Sequence, residues 1–103
     1  MTSTTKGFCA DGAYCLYLII YEKNDGHLTT YTGITMNLKR RLLQHEHGST
    51  RTTKRFNKSY QLKEVRFIEF WNKTDCKKYE KSIKKFSVYK KLNYSSNWFR
   101  WLE

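Results

Sequence analysis

One uncharged stretch near the start of the chain constrains the fold more than any other. Residues 14–21 read Tyr-Cys-Leu-Tyr-Leu-Ile-Ile-Tyr and include no charged side chain. A half-exposed strand would alternate apolar and polar residues, so this continuous run indicates a strand covered on both faces. Asn24-Asp25-Gly26 is a typical hairpin signal, and residues 28–33 are suited to the antiparallel return strand. We therefore expect a sheet built around residues 13–22.

Two helices and a third strand are predicted after this hairpin. A helix is expected over residues 37–47, with Asn37 as its N-cap and Gly48 just beyond its end. Residues 62–71 alternate in the manner of a strand. Apolar residues at three- and four-residue spacing predict a second packed helix over 76–86. The order indicates an α/β (α+β) domain with a small three-stranded, mainly antiparallel sheet flanked by helices.

The ends of the chain are expected to differ in order. Residues 1–12 are predicted to form a flexible tail. Residues 13–103 are predicted to form one domain, with a core over 14–86 and an aromatic helical tail over 87–103. The tail aromatics would close the core of the domain, or alternatively contact a partner or a second copy. On a helix, three apolar side chains would share one face: Trp98, Trp101 and Leu102.

The three cysteines are not predicted to form a framework. Cys9, Cys15 and Cys76 are odd in number and lack CxxC spacing. Both observations argue against a disulfide framework and against a structural zinc site. Each cysteine is instead expected to be a small buried apolar side chain.

The charge of the chain indicates its partner. Twenty Lys and Arg face nine Asp and Glu, for a formal net charge of +11 over 103 residues. This excess favours a polyanion, with nucleic acid first and an acidic membrane surface second. No apolar run approaches the ~20 residues of a spanning helix, and the first residues lack a signal-peptide apolar region. An intracellular protein is expected, in the cytoplasm, or in the nucleus of a eukaryotic or viral host.

Residues 48–60 form a basic segment without an acidic residue. The segment is either a solvated linker or a surface that contacts the phosphate backbone. Backbone contact needs only positive charge within reach, which favours the second interpretation. The cations of this segment are Arg51, Lys54, Arg55 and Lys58.

Five side chains are candidates for one site. Tyr17 lies within the first strand and Tyr31 at the end of its partner, so the two are expected to be neighbours. Arg41 and His45 are four residues apart and share a helix face, which we expect to point outward. Glu80 is a lone carboxylate on a lysine-rich helix, expected near the sheet. Taken singly, the tyrosines could be ordinary strand packing, and Glu80 could pair within its helix with Lys77, Lys81 or Lys84.

Taken together, these residues resemble the GIY-YIG nuclease domain, and in particular its small stand-alone members with a Tyr-Thr-Gly-Ile-Thr second motif. The resemblance covers about residues 14–86. The family's first-motif glycine is Cys15 here, and the isoleucine of its second motif is Thr32. The matching segments are Leu16-Tyr17-Leu18, Tyr31-Thr32-Gly33-Ile34-Thr35, Leu38-Lys39-Arg40-Arg41, His45, Gly48 and Glu80-Lys81-Ser82-Ile83-Lys84-Lys85.

The resemblance implies a metal-dependent endonuclease that hydrolyses phosphodiester bonds of DNA. It makes Tyr17 and Tyr31 the site tyrosines, Arg41 the phosphate ligand, His45 an accessory group and Glu80 the metal ligand. One Mg²⁺ or Mn²⁺ is expected, because a two-metal site needs more carboxylates. Either tyrosine could be the general base, with a pKa lowered by a cationic environment. The expected nucleic-acid contacts are Lys39, Arg40, Arg51, Lys54, Arg55, Lys58 and Lys84, with Gly33 and Asn93 as weaker supporting residues.

Three functions remain open at this point. The first is a nuclease that acts on duplex or branched DNA in repair or recombination, with selectivity from DNA shape, loops or a targeting protein partner. The second is a catalytically inactive nucleic-acid-binding module of the same fold. The third is an RNA-binding protein that stacks bases on the tail tryptophans. The joint presence of Tyr17, Tyr31, Arg41 and Glu80 favours the enzyme, and no oligomeric state is predicted.

Overall fold

The computed structural model describes residues 5–46 and 61–101. In this part of the chain a five-stranded sheet has the order β1-β5-β4-β2-β3. Neighbouring strands are antiparallel, except that β1 and β5 are parallel. The elements in chain order are β1 (Thr5–Lys6), β2 (Tyr14–Glu22), β3 (Leu28–Thr35), α1 (Leu38–Glu46), β4 (Gln61–Phe70), α2 (Lys73–Ile83), α3 (Val88–Tyr94) and β5 (Phe99–Trp101).

Strand β2 is covered on both faces, which confirms the prediction from its continuous apolar run. Successive side chains of a strand point to opposite faces, so the run supplies two separate hydrophobic clusters. The first contains Cys15, Tyr17, Ile19 and Tyr21 and is covered by Leu38 of α1. The second cluster, on the opposite face, contains Leu16, Leu18 and Ile20 with Cys76 and Ile83 of α2.

The hairpin between β2 and β3 forms at the predicted turn. Gly26 has φ of +88°, a left-handed conformation that glycine adopts without steric cost. The N–H of Gly26 donates to the carbonyl of Lys23 at 2.9 Å. Asp25 Oδ1 accepts from the N–H of His27, also at 2.9 Å. This turn sets the pairing of β2 with β3, which places Tyr17 opposite Gly33.

Polar side chains cap the three described helices at their first residues. Asn37 Oδ1 accepts from the N–H of Arg40 at 3.1 Å, as predicted for the N-cap of α1. Asn72 Oδ1 accepts from the N–H of Thr74 at 2.8 Å at the start of α2. Ser87 begins α3 as a separate helix, since its side chain accepts from the backbone of the first turn. Each cap satisfies a backbone donor that has no partner within its helix.

The prediction of a helical aromatic tail is wrong for residues 99–101, which form strand β5. Phe99 and Trp101 both contact Phe67 of β4, with ring centroids 5.4 Å and 5.7 Å apart. Trp98 is buried in the second cluster, on the opposite face of the sheet. The aromatics therefore alternate with the period of a strand rather than sharing one helix face. They do close the core, as expected, while Leu102 lies outside the described residues.

The predicted number of three strands is therefore too low. In addition to β5, the N-terminal segment forms strand β1. Thr5–Lys6 pairs with β5, so the prediction of a flexible tail is wrong for these two residues. Lys6 Nζ forms an ion pair with Glu69 Oε1 of β4 at 2.6 Å, and the N–H of Ala10 donates to the same carboxylate. Residues 1–4 lie outside the described part of the chain. The segment is thus docked by an ion pair and a strand contact that sequence periodicity does not reveal.

The cysteine prediction is wrong for two of the three residues. Cys9 and Cys15 form a disulfide, whereas Cys76 is a free, buried thiol as expected. The chain turns back between the paired cysteines, where Gly12 has φ of +82°. The odd number of cysteines did not predict this disulfide, because a local turn and the docking of β1 bring the two cysteines together.

Two further predictions concern the membrane and the basic segment. Within residues 5–46 and 61–101, no helix is long and apolar enough to cross a membrane. The predicted basic segment lies outside the described residues, and so does Gly48. Its cations, which remain predicted nucleic-acid contacts, are Arg51, Lys54, Arg55 and Lys58.

Candidate active site

A buried phenol on β2 is the centre of the candidate site. Tyr17 Oη lies 2.8 Å from Nε2 of His45 and accepts a hydrogen bond from Nε of Arg41 at 3.3 Å. Both partners come from α1, where residues four apart lie on one face. The ring of Tyr31 lies 6.3 Å from that of Tyr17 and 4.7 Å from that of His45. The expected proximity of the two tyrosines is confirmed, and α1 completes the group.

A glycine makes room for this phenol. Gly33 lies opposite Tyr17 in the β2–β3 pairing. A Cβ atom at position 33 would lie 2.6 Å from Cζ of Tyr17, a distance at which atoms must move. The positive-φ glycines among the described residues are Gly12 and Gly26, so Gly33 is not needed for its backbone conformation. Its contribution is the space through which the phenol reaches α1.

The charge states of the cluster follow from burial and from Arg41. The hydrogen bond to Tyr17 raises the pKa of Arg41, so the guanidinium stays charged. Burial raises the pKa of Tyr17, against the opposing effect of Arg41, so its phenol is neutral at pH 7. Burial and the charge of Arg41 lower the pKa of His45 to about 4, so its imidazole is neutral as well. The expectation of a lowered tyrosine pKa is therefore wrong for Tyr17.

These charge states orient the hydrogen bonds. A guanidinium can only donate, so the oxygen of Tyr17 accepts from Arg41. The phenol of Tyr17 and Nε2 of the neutral imidazole of His45 share the second hydrogen bond of this oxygen. Only 1% of His45 is exposed, so the expectation that its side chain faces outward is wrong. His45 is a buried hydrogen-bond partner that holds the phenol of Tyr17 in place.

One residue of the site was not identified in the sequence. Gln44 Oε1 accepts a hydrogen bond from Nη1 of Arg41 at 3.0 Å. Together with Tyr17, Gln44 holds the guanidinium from two sides. An amide three residues after an arginine on a predicted helix is the signal that could have found it.

Glu80 lies on α2 with 21% of its side chain exposed. Its carboxylate pairs with Lys84 Nζ at 3.6 Å, which is the intrahelical contact considered above. Burial is the main cause of the raised pKa of Tyr17. The negative charge of Glu80 raises that pKa further, so the two groups interact electrostatically. Within residues 5–46 and 61–101 no three His, Cys, Asp or Glu side chains cluster. A lone, partly exposed carboxylate fits a hard cation that keeps several waters.

The remaining predicted residues lie at the surface. Lys39 and Arg40 are exposed on α1, and Lys84 is exposed on α2. Asn93 is exposed on α3, where its carbonyl accepts from the N–H of Ser96 at 3.3 Å. A supporting function for Asn93 therefore stays a prediction, while the three cations are placed where a polyanion can reach them.

The buried imidazole makes a testable contribution to pH-dependent stability. The pKa of His45 falls from 6.5 to about 4 on folding, so the unfolded chain binds the proton more readily. The contribution of His45 is complete above pH 6.5 and is lost as the pH falls toward 4, by up to about 1.4 kcal/mol per pH unit. Urea unfolding at pH 7, 6, 5 and 4 should show this slope for the wild type and a flatter one for His45→Gln. The exposed His27→Gln is the control, and equal slopes in all three proteins would contradict the assignment.

Comparison with known proteins identifies the family of this chain. A family model described as the GIY-YIG catalytic domain matches residues 13–93. This range contains the tyrosine–arginine–histidine cluster and Glu80, and it excludes β1 and β5. Neither a curated protein nor a solved structure matches the chain. Nucleases of this family generally use divalent metal ions. The chain therefore belongs to the GIY-YIG family, whose catalytic domain implies a nuclease that hydrolyses phosphodiester bonds of nucleic acid.

Proposed function

We propose that this protein is a metal-dependent DNA endonuclease with one divalent cation at its site. The proposal rests on one observation above others, the array in which Arg41 donates to Tyr17 and Tyr17 contacts His45. Simple strand packing would not require a charged guanidinium held against a buried phenol. We assign the catalytic site to Tyr17, Tyr31, Arg41, His45 and Glu80.

Arg41 is suited to the phosphate. Its contacts with Tyr17 and Gln44 hold the guanidinium in place, and Tyr31 also acts on it as a hydrogen-bond partner. A guanidinium carries five N–H donors, so these contacts leave others for phosphate oxygens. A preorganised cation stabilises the extra negative charge of a pentacovalent phosphorus more than that of the ground state.

The two tyrosines take different functions in this proposal. Tyr17 is fully buried and neutral, so it positions Arg41 and does not exchange protons with solvent. Tyr31 is only partly buried and lies against both His45 and the guanidinium of Arg41. As a phenolate, Tyr31 would be the general base that accepts a proton from the attacking water.

Glu80 would hold the cation, with water and phosphate oxygens as further ligands. When bound, Mg²⁺ or Mn²⁺ supplies Lewis-acid stabilisation of phosphate and leaving-group oxygens. The carboxylate is partly exposed, and its present partner, Lys84, forms a long surface pair worth little energy. A divalent cation can therefore displace the ammonium group at small cost.

DNA is the proposed substrate because the surface is cationic and the tail does not suit base stacking. The net charge of +11 and the exposed Lys39, Arg40 and Lys84 favour a nucleic-acid backbone. Trp98 is buried in the core and Trp101 packs on Phe67, which argues against tryptophans that stack RNA bases. Repair or recombination, and a targeting protein partner, remain part of the proposal.

The first test is cleavage of labelled duplex, single-stranded, flap and four-way-junction DNA with Mg²⁺, Mn²⁺ or a chelator. We expect metal-dependent nicking by the wild type and a loss of about 10²-fold or more in Arg41→Ala. Arg100→Ala removes the same charge on the opposite face of the sheet, since Arg100 lies across from Arg66, whose guanidinium donates to α3. This control should cleave within about threefold of wild type. DNA binding without any cleavage by the wild type would instead establish the inactive binding module.

A further inference from the structure

An open groove begins beside Arg41, between the end of β3 and the first turns of α1. Its volume is about 330 Å³. This is near the lower limit of about 300–1,000 Å³ for small-ligand sites, so the groove suits one nucleotide-sized group and not a base pair. The side chains that matter for its chemistry are Ile34, Thr35, Met36, Arg40, Arg41 and Gln44.

The groove has two chemically different parts. Arg40 and Arg41 supply positive charge, and none of the lining residues is acidic. Met36, which is 56% exposed, supplies the apolar surface, and Ile34 lines the groove at its edge while its side chain packs against the second cluster. A ligand that satisfies both parts combines an anion with a flat apolar group. Among the components of a nuclease substrate, a nucleotide has this combination.

Gln44 links the groove to the candidate active site. Its Oε1 accepts from Arg41, so its amide N–H₂ is the group left to meet a ligand. The same guanidinium thus borders both the groove and the Tyr17 cluster. A nucleotide in the groove would be adjacent to the phosphate bound by Arg41.

We propose that this groove binds one unpaired nucleotide next to the scissile phosphate, with its phosphate on Arg40 and Arg41 and its base against Ile34 and Met36. The inference rests on the proposed nuclease function and names the substrate class, namely DNA with an unpaired nucleotide at the cleavage point. Moving a base out of a duplex costs a few kcal/mol, and the cost is least for a base that is already unpaired. The groove would therefore contribute selectivity for an unpaired nucleotide.

The groove is tested first without cleavage. The full chain is titrated by NMR with inorganic phosphate, a deoxynucleoside and a deoxynucleoside 5′-monophosphate. The monophosphate should bind about tenfold more tightly than phosphate, with shifts at Met36 and Ile34. Met36→Ala should weaken the monophosphate about fivefold, whereas Leu43→Ala, on α1 but outside the groove and 48% exposed, should not. Equal affinities for phosphate and monophosphate would overturn the proposal.

A second measurement separates the groove from the nuclease proposal. The ratio of cleavage rates on DNA with and without an unpaired nucleotide at the nick site should be high in the wild type. It should fall about fivefold in Met36→Ala relative to Leu43→Ala. Cleavage with an unchanged ratio in both variants would leave the nuclease standing and reject the groove. Monophosphate binding at the groove without any DNA cleavage would reject the nuclease and retain the nucleotide site.

Discussion

Glu80→Gln is expected to lower metal-dependent DNA cleavage by about 10³-fold or more, since loss of a metal's charge stabilisation costs several kcal/mol. The amide matches the carboxylate in shape but lacks the charge that hard cations require. Glu80 is partly exposed and its described ion pair is a long one, so the fold should lose only a few tenths of a kcal/mol. DNA binding in the presence of the metal should stay within about threefold, because the positive surface is retained. Gel-based cleavage and fluorescence-anisotropy binding measure the two effects separately.

Two controls define the cause of this loss. Asp75→Asn removes the same charge from an exposed position on the first turn of α2, and it should retain cleavage. Lys84→Met removes the ion pair from its other side, and its cleavage should remain metal-dependent. If Glu80→Gln cleaves as fast as Asp75→Asn, then Glu80 is not the metal ligand.

Gly33→Ala is expected to destabilise the protein by about 1–3 kcal/mol, and Gly33→Val by more, because the buried site is already filled. Alanine in a strand normally gains about 0.5–1 kcal/mol over glycine, so any loss here is steric. The added Cβ meets the ring of Tyr17, which is buried on a strand between two neighbours and cannot move into solvent. Urea unfolding with an unchanged m-value would report the loss as a shift of the midpoint.

A double-mutant cycle identifies the clash. In a Tyr17→Ala background, Gly33→Ala should cost little or should stabilise, because the ring that meets the Cβ is gone. Gly26→Ala is a contrasting control, since its φ of +88° makes the substitution strained with open space around it. Its cost should be the same in the wild type and in the Tyr17→Ala background. Additive effects of the Gly33 and Tyr17 changes would contradict the packing argument.

The parts of the fold that were predicted are those with local causes. The continuous run of β2 requires cover on both faces, whatever the partners are. Asn24-Asp25-Gly26 specifies the hairpin, and the turn then determines that Tyr31 lies near Tyr17. Asn37 marks the start of α1 because it satisfies a backbone donor within a few residues. Each of these features depends on neighbours in the sequence alone.

The parts that were missed depend on distant contacts. Strands of two and three residues are too short to show a period in the sequence. β5 forms because it pairs with β4, and β1 forms because it pairs with β5. In the sequence, Phe99 and Trp101 are compatible with either a helix or a strand. Their contacts with Phe67 favour the strand. The Cys9–Cys15 disulfide likewise follows from the docking of residues 5–12 beside Glu69. The groove and the contact of Gln44 with Arg41 arise where α1 meets the end of β3.

The sequence by itself determined the central hairpin, the start of α1, the family and the set of candidate site residues, because these depend on short-range propensity and motif spacing. Only the tertiary structure decided what those residues do. Burial keeps Tyr17 and His45 neutral and turns His45 inward, and Gly33 opens the space in which Tyr17 meets Arg41. Protonation and orientation depend on desolvation and neighbouring charge, and these are set only when residues distant in the chain come together.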